Sequence, residues 1–289
     1  MLFPNLSSTL RIRPAQPTDQ LSLSNLFHFE AYNFRHLDWK RPLDWLGSSP
    51  FLVAEEKERV VAALICPPEP PEVAWLRAFA ASGQARVERV WRALWQEAYR
   101  ELKANNVQVI AAICMDVWMQ KLLTTHGFEQ SETVVVLSWD QDAPLAFPRY
   151  SVRPRVMTAN DLSQVYAVDR ACFAPLWQNS QAILETAFLQ AIFATVLEDE
   201  QGIVGYQIST PSPRGGHLAR LGVHPRGQGQ GMGYALVYDL LIRFTNHALA
   251  PEGLIITVNT QAQNAASLAV YQKANFHFTG HQYPVYTHF

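Results

Sequence analysis

The sequence predicts an α/β chain, in detail an α+β mixed-sheet fold laid down twice in tandem, and three observations carry that prediction. Residues 10–21, LRIRPAQPTDQL, find an echo at 151–162, SVRPRVMTANDL: a short strand ending Arg-Pro, a few residues, then an acidic residue near a helix start. Repetition of this kind marks duplicated modules. Behind each echo the same alternation of strand-period and helix-period segments recurs. The 289 residues, 48% of them hydrophobic, suffice for two cores of ordinary size.

In chain order the first copy runs FLVAE (51–55), a charged turn at Glu55 to Arg59, VVAALIC (60–66), a Pro-rich loop at 67–71 and VAWLRAF (73–79). Val87, Val90, Trp91, Leu94, Trp95, Ala98 and Leu102 then follow three-and-four spacing, the single apolar stripe of an amphipathic helix. Strand VQVIAAI, helix VWMQKLLTTHGF and strand TVVVLSW complete the copy. In the second copy IFATVL (192–197), a turn at Asp199 to Gly202 and IVGYQIS (203–209) read as a hairpin. HLARLGV leads into a glycine-rich loop and the apolar helical run YALVYDLLIRF, followed by LIITV, a second helix and FHFTG. The order is β-α-β-β-β-α-β-α-β, a mixed sheet flanked by helices. The expected domains are 1–140 and 151–289, joined by QDAPLAFPRY at 141–150, where prolines interrupt all apolar periodicity.

Composition excludes several classes. A net charge of −2 argues against a nucleic-acid surface and gives no reason to expect an anionic-membrane binder, so the expected partner is a small molecule or a discrete peptide. Cys66, Cys114 and Cys172 are odd in number and lack CxxC spacing, which suggests neither a disulfide framework nor a thiolate metal site. His277, His281 and His288 match no zinc spacing, so no metal is expected. The start, MLFPNLSSTLRIRP, lacks the features of an export signal and no apolar stretch approaches a membrane span; a cytoplasmic location is expected. Nothing in the sequence speaks to oligomeric state.

Chemistry concentrates between Leu221 and Gly233, LGVHPRGQGQGMG. Glycines at 227, 229, 231 and 233 allow close backbone approach, and the helix that follows aims free N–H groups and its positive dipole end at the loop. Such a loop cradles phosphate. Tyr234 and Ala235 replace the Lys and Ser/Thr of a nucleotide triphosphatase loop, and Tyr234 stands where a dinucleotide fingerprint counted from Gly229 needs its third glycine.

Gln228-x-x-Gly231-x-Gly233 after a strand, with Val223-His224-Pro225 between, resembles motif A of the GNAT superfamily of acyl-CoA-dependent N-acyltransferases. NAASLAVYQKANF (264–276) resembles that family's motif B through Asn264, Ser267, Tyr271 and Lys273, with Asn275 where the family usually has Gly. Asn is the best non-glycine residue at a positive-φ helix end. The resemblance implies acetyl-CoA as co-substrate and transfer to a primary amine, with the pyrophosphate on the loop formed by Gln228, Gly229, Gln230, Gly231, Met232 and Gly233. It implies backbone N–H groups of Leu221 and Val223 at the acetyl carbonyl, Asn264 at the pantetheine and Tyr271 as general acid. Arg226 and Lys273 are candidates for the CoA phosphates or ordinary surface cations. His217 is the candidate base, with Glu198 and water as rivals.

The first copy carries AFAASGQARVER where the second has its glycine loop, and Leu123 and Asp116 stand at the positions of Tyr271 and Asn264. It reads as degenerate. The segment HLDWKRPLDWLG (36–47) is aromatic and charged enough to edge a cleft but reads first as an irregular surface loop, and Trp91 and Trp95 read as core. An alternative function stays open: a non-catalytic acyl-CoA-binding or scaffolding protein.

Overall fold

A computed structural model describes residues 10–140, 153–247 and 253–289. The expected linker, 141–150, lies outside the described residues. The chain divides into two compact units, residues 1–131 with 284–289, and residues 132–283.

Unit 1 begins with β1 (Arg11–Pro14), α1 (Gln20–Phe29) and β2 (Tyr32–Arg35), continues with the hairpin β3 (Phe51–Glu56) and β4 (Arg59–Ile65), then β5 (Val73–Trp75), β6 (Ala78–Ala81), α2 (Val87–Ala104), β7 (Val109–Ile113) and α3 (Val117–Thr125), and enters β8 (Glu129–Trp139). The charged turn closes tightly because Lys57 and Glu58 both take positive φ, 51° and 62°. One sheet has the order β1-β3-β4-β6-β2. Beside it β7 pairs in parallel with β5 and antiparallel with the end of the last strand of the chain, Val285 opposite Ile113. The expected strand VAWLRAF is broken in two. Leu76 N–H donates to Ala111 O while Arg77 N–H donates to Ile65 O, both at 2.8 Å, so the chain changes neighbour between these residues. The stripe of α2 is buried as its spacing requires, with Trp91 and Trp95 stacked at 5.9 Å within the core.

Unit 2 contains β9 (Arg155–Val156), α4 (Leu162–Cys172), α5 (Gln181–Leu189), the hairpin β10 (Phe193–Asp199) and β11 (Gly202–Ser212), β12 (Gly215–Val223), α6 (Met232–Thr245), β13 (Ile255–Gln261), α7 (Ala265–Lys273) and β14 (His277–His288). Helix α5 was not distinguished in the sequence. The sheet order is β8-β13-β12-β11-β10-β9, antiparallel except for the parallel pair β12–β13. Leu240, Leu241 and Phe244 of α6 pack with Leu218, Ile256 and Val258 from the strands and with Tyr271 of α7.

The contact-defined units differ from the expected division at 140 and 151 in two places. Val134 to Trp139 of β8 pair with β13 in unit 2, and Val285 to His288 of β14 pair with β7 in unit 1. Hydrogen-bonded partners, not order along the chain, decide which unit such strand ends join.

Candidate active site

Strand β12 sets the geometry of unit 2. Its parallel pairing with β13 stops at Leu218 opposite Val258, although β12 continues to Val223 and β13 to Gln261. The cause lies one residue on. Opposite β11 the register steps from Leu218–Ser209 to Arg220–Ile208, leaving Ala219 as an extra residue, a β-bulge that bends the strand. From there β13 keeps only β8 as a partner, through Gln261 opposite Val134.

The bulge also decides where the peptide groups of β12 point. His224 N–H donates to Val204 O at 2.8 Å, and the register continues with Gly222 opposite Tyr206 and Arg220 opposite Ile208. In an antiparallel pair, residues exchanging hydrogen bonds alternate with residues whose polar groups face the other way. Leu221 and Val223 are the alternate set, so their N–H groups face the side from which β13 has parted. The Val223 carbonyl on that side is taken by Gln228 Nε2 at 3.0 Å.

The loop that follows is held open by its own side chains. Gln230 Nε2 donates to Arg226 O at 2.9 Å, so Gln228 and Gln230 both brace backbone. Gly229 and Gly231 take φ of +74° and +82°, a region L side chains adopt at a cost. A Cβ at Gly229 would meet nothing within 4 Å. Gly227 is different: a Cβ there would lie 2.6 Å from Val204 Cγ2 and 2.7 Å from Met232 Sδ, so that glycine serves packing. Gly231 caps α6, whose ladder starts with Ala235 N–H to Gly231 O at 3.0 Å; the N–H groups of Met232 and Gly233 precede it. A Cβ at Gly233 would lie 3.4 Å from Val270 Cγ2 and 3.9 Å from Val223 Cγ2, which brings the end of β12, the start of α6 and the middle of α7 together.

Tyr271, the residue after Val270, is 4% exposed and packs near Phe276 with ring centroids 5.7 Å apart. Burial pushes its phenol well above the usual range, so it stays protonated at neutral pH. Asn264 caps α7: its Oδ1 accepts Ser267 N–H at 3.1 Å and its Nδ2 reaches Gln261 Oε1 at 3.5 Å. At the other end Asn275 takes φ of 63°, the conformation its place in the motif requires.

The remaining candidate residues have partners within the chain. Arg226 places Nε and Nη2 on Asp199 at 2.9 and 3.1 Å and Nη2 on Ile203 O at 3.0 Å, bracing the β10–β11 turn. Lys273 Nζ lies 4.7 Å from the Tyr234 ring centroid, a cation–π contact. Glu198 is engaged by Arg155, which holds its carboxyl below the usual range. His217 sits before the bulge with Nδ1 2.8 Å from Thr257 Oγ1, and burial lowers its pKa.

The structure adds a network at the bulge. Arg220 donates from Nε and Nη2 to Asp169 Oδ2 at 2.8 and 2.6 Å and from Nη2 to Trp177 O at 2.7 Å, with its guanidinium 3.5 Å from the Phe173 ring centroid. Tyr206 Oη donates to the same Oδ2, and Asn179 N–H donates to Oδ1. This pins β12 to α4 beside Leu221. The available signal was a charge on each of two apolar faces, Arg220 within HLARLGV and Asp169 three and four residues beyond Tyr166 and Val165. Cys172 closes the group: a Cβ on Gly222 would lie 3.0 Å from its sulfur, and burial pushes its thiol up to about 12.

Residues 162–276 match the family model described as the Acetyltransferase (GNAT) family. The chain has a tandem GNAT fold. Similar solved structures include the tandem GNAT protein from the clavulanic acid biosynthesis pathway, with 15% identity, a TM-score of 0.65 and coverage of 97% of this chain and 98% of that one. A GCN5-related N-acetyltransferase from Sphaerobacter thermophilus has 13% identity and a TM-score of 0.61, over 99% and 96% of the two chains. An acetyltransferase from the GNAT family of Colwellia psychrerythraea has 11% identity and a TM-score of 0.59, over 96% and 99%. At such identities the likeness is one of fold. No curated protein sequence matches the chain. The GNAT match spans both motifs and the Asp169–Arg220 network. Among the described residues no helix is long and apolar enough to cross a membrane, and no group of three or more His, Cys, Asp or Glu is placed to hold a metal ion.

Proposed function

We propose that the C-terminal unit transfers an acetyl group from acetyl-CoA to a primary amine, carried by a small molecule or a peptide, by direct attack. The observation that carries this reading is the open edge of β12, where Leu221 and Val223 turn their N–H groups to a gap bordered by the glycine loop and α7. The fit to CoA rests on backbone: the open space at Gly229 and the first-turn N–H groups of α6 suit a pyrophosphate. Acetyl-CoA supplies the activated thioester. Leu221 and Val223 N–H hold the oxygen that gains charge as the amine adds, and one such donor is worth roughly 10²–10³ in rate. Tyr271, protonated, donates to the departing thiolate, and His217, kept neutral by its lowered pKa, accepts the amine proton.

Direct attack is supported by Cys172. Its sulfur lies beside the gap, yet a thiol pushed to about 12 is not a nucleophile at neutral pH. Cys66, Cys114 and Cys172 are all free thiols, which suits a reducing cytoplasm. The N-terminal unit is proposed as a degenerate copy without its own CoA site.

A second reading, a non-catalytic acyl-CoA-binding or scaffolding protein, draws on one observation: His217 commits Nδ1 to Thr257. Release of free thiol from acetyl-CoA across a panel of amines separates the two. Amine-dependent release supports transfer; tight binding without release with any amine supports the second reading.

A further inference from the structure

The N-terminal unit holds a cavity of about 210 Å³ where β5 gives way to β6. Arg77, at that break, corresponds to Arg220: each lies two residues beyond the last parallel pair of its strand, Trp75–Ala111 in one unit and Leu218–Val258 in the other. The two arginines differ in how fully they are satisfied. Arg220 places three hydrogen bonds on a buried carboxylate and a carbonyl. The Arg77 side chain is 8% exposed, yet it has Nη1 3.3 Å from Asp38 Oδ2, an oxygen shared with Trp45 Nε1, and its buried Nε has no hydrogen-bond partner. A second buried donor or acceptor on the same wall, His36 Nδ1, also lacks a partner.

Charge points the same way. Arg35, Lys40, Arg41 and Arg77 line the cavity with Asp38 as the one lining carboxylate, although Lys40 Nζ also lies 3.7 Å from Glu69 Oε2 and Arg35 Nη2 donates to Phe27 O; burial holds His36 well below its ordinary value, hence neutral. Lys40 Nζ and the Arg77 guanidinium lie 4.1 and 4.8 Å from the Trp45 ring centroid, which gathers two cations on one apolar wall. A buried cation with an unpaired donor is costly until an acceptor arrives, and a forked guanidinium matches an oxyanion. A volume near 210 Å³ has room for a compact anionic group. We infer that this cavity binds a small molecule through its oxyanion, a carboxylate or a phosphate, with the segment 36–45 as its rim. The expected surface loop is thus the lining of a site, with Trp45 2% exposed.

Calorimetry on the full chain at low ionic strength tests this with inorganic phosphate and, separately, malonate. At least one should bind, and the tighter of the two identifies the carboxylate or phosphate class. Phosphate also has the 228–233 loop available, so each titration is repeated in Gly231→Val, where binding at the cavity should persist. The pair Arg35→Gln and Lys40→Gln, at exposed and half-buried positions, should weaken binding at least tenfold while circular dichroism stays native. Arg77→Lys keeps the charge and loses the fork, and should weaken it as well. Dilution heats alone from both anions, signal that vanishes in Gly231→Val, or undiminished binding in the Arg35–Lys40 double variant would each overturn the inference.

Discussion

Arg155 donates its Nε to Glu198 at 3.0 Å while its Nη1 and Nη2 each reach Asp161 at 2.8 Å, and the N-terminal unit holds the same figure: Arg13 on Glu55 at 2.7 Å and on Asp19 at 2.7 and 2.8 Å. In both units the glutamate lies at a register shift, between Ala54 and Glu55 and between Leu197 and Glu198. Two strands meeting at one arginine, with an aspartate that also accepts a backbone N–H at the start of the next helix, close the same corner twice. This is the structural content of the repeated sequence. It also makes Glu198 a weaker proton acceptor, because Arg155 stabilises its charged form.

Asp161 supplies a first prediction. Arg155 holds its carboxyl down at about 2, from an ordinary value of 3.8. A depressed carboxylate contributes stability that is present above the ordinary value and lost as pH falls through the depressed one, here between about 4 and about 2. Asp161→Asn should cost about 1–2 kcal/mol at pH 7, with solvent screening at the half-exposed Arg155 keeping the figure low. Thermal unfolding against pH should show a shallower acid loss in the variant; parallel curves would mean that the pair carries no pH dependence.

Gly231 tests the phosphate loop. Gly231→Val should lower acetyl-CoA affinity at least tenfold, but φ of +82° adds backbone strain of roughly 1–2 kcal/mol for any β-branched residue. Gly231→Asn is therefore made beside it, since Asn tolerates that conformation while still adding a side chain. Affinity by calorimetry should fall in both while circular dichroism stays native. Wild-type affinity in the folded Asn variant would move the pyrophosphate elsewhere.

What was legible in the sequence was what is local. The glycine loop, the αL position of Asn275, the Asn264 cap and the α2 stripe each depend on a handful of consecutive residues, and each has the expected conformation. Missed features need partners far along the chain. Whether VAWLRAF is one strand or two depends on Ala111 and Ile65 competing for it; Arg226 pairs with Asp199, and the exposed Lys273 lies over the Tyr234 ring. The echo itself was misaligned by two residues: the Arg-Pro dipeptide at 153 suggested itself as the counterpart of Arg13-Pro14, but the side chain that plays the part of Arg13 is Arg155.

Tyr271→Phe keeps the ring in its apolar setting and removes one proton. The turnover rate should drop by roughly 10²–10⁴ with acetyl-CoA affinity little changed. Because burial raises the phenol's pKa, its acid form persists as pH rises, so the wild-type rate should show no decline from this group through pH 9. Single-turnover rates measure both effects, and a variant as fast as wild type would exclude Tyr271 from proton transfer.

For His217 the sign runs in the opposite direction. Burial lowers its pKa below 6.5, so the neutral, proton-accepting form extends to more acidic solution. If it is the base, kcat/KM should fall on the acidic side only below pH 6.5, and His217→Ala should reduce the rate and erase that limb. Thr257→Val, which removes the hydroxyl beside Nδ1, should shift the limb without abolishing it. A limb that is identical in all three proteins would assign the proton to water or to the amine itself.

The last prediction concerns stoichiometry. In the N-terminal unit the stretch 82–86 stands where the C-terminal unit has its glycine loop, and its one glycine is already engaged: Gly83 N–H donates to Glu30 Oε2 at 2.8 Å. The chain's own carboxylate thus takes a position that suits an anion. Helix α2 begins after Arg86 with no side-chain cap, Leu123 is fully buried where Tyr271 stands in the other unit, and Asp116 makes no cap contact in the place of Asn264. A pyrophosphate there would have to displace Glu30 and would meet no glycine-lined backbone beyond Gly83. Acetyl-CoA should therefore bind at one site per chain, and Glu30→Ala should leave that number at one, because removing the carboxylate restores neither the loop nor the tyrosine. Calorimetry at protein concentrations above the dissociation constant reads the number directly. A value near two in the wild-type chain, or a second site opened by Glu30→Ala, would return the N-terminal unit to the class of acyl-CoA binders.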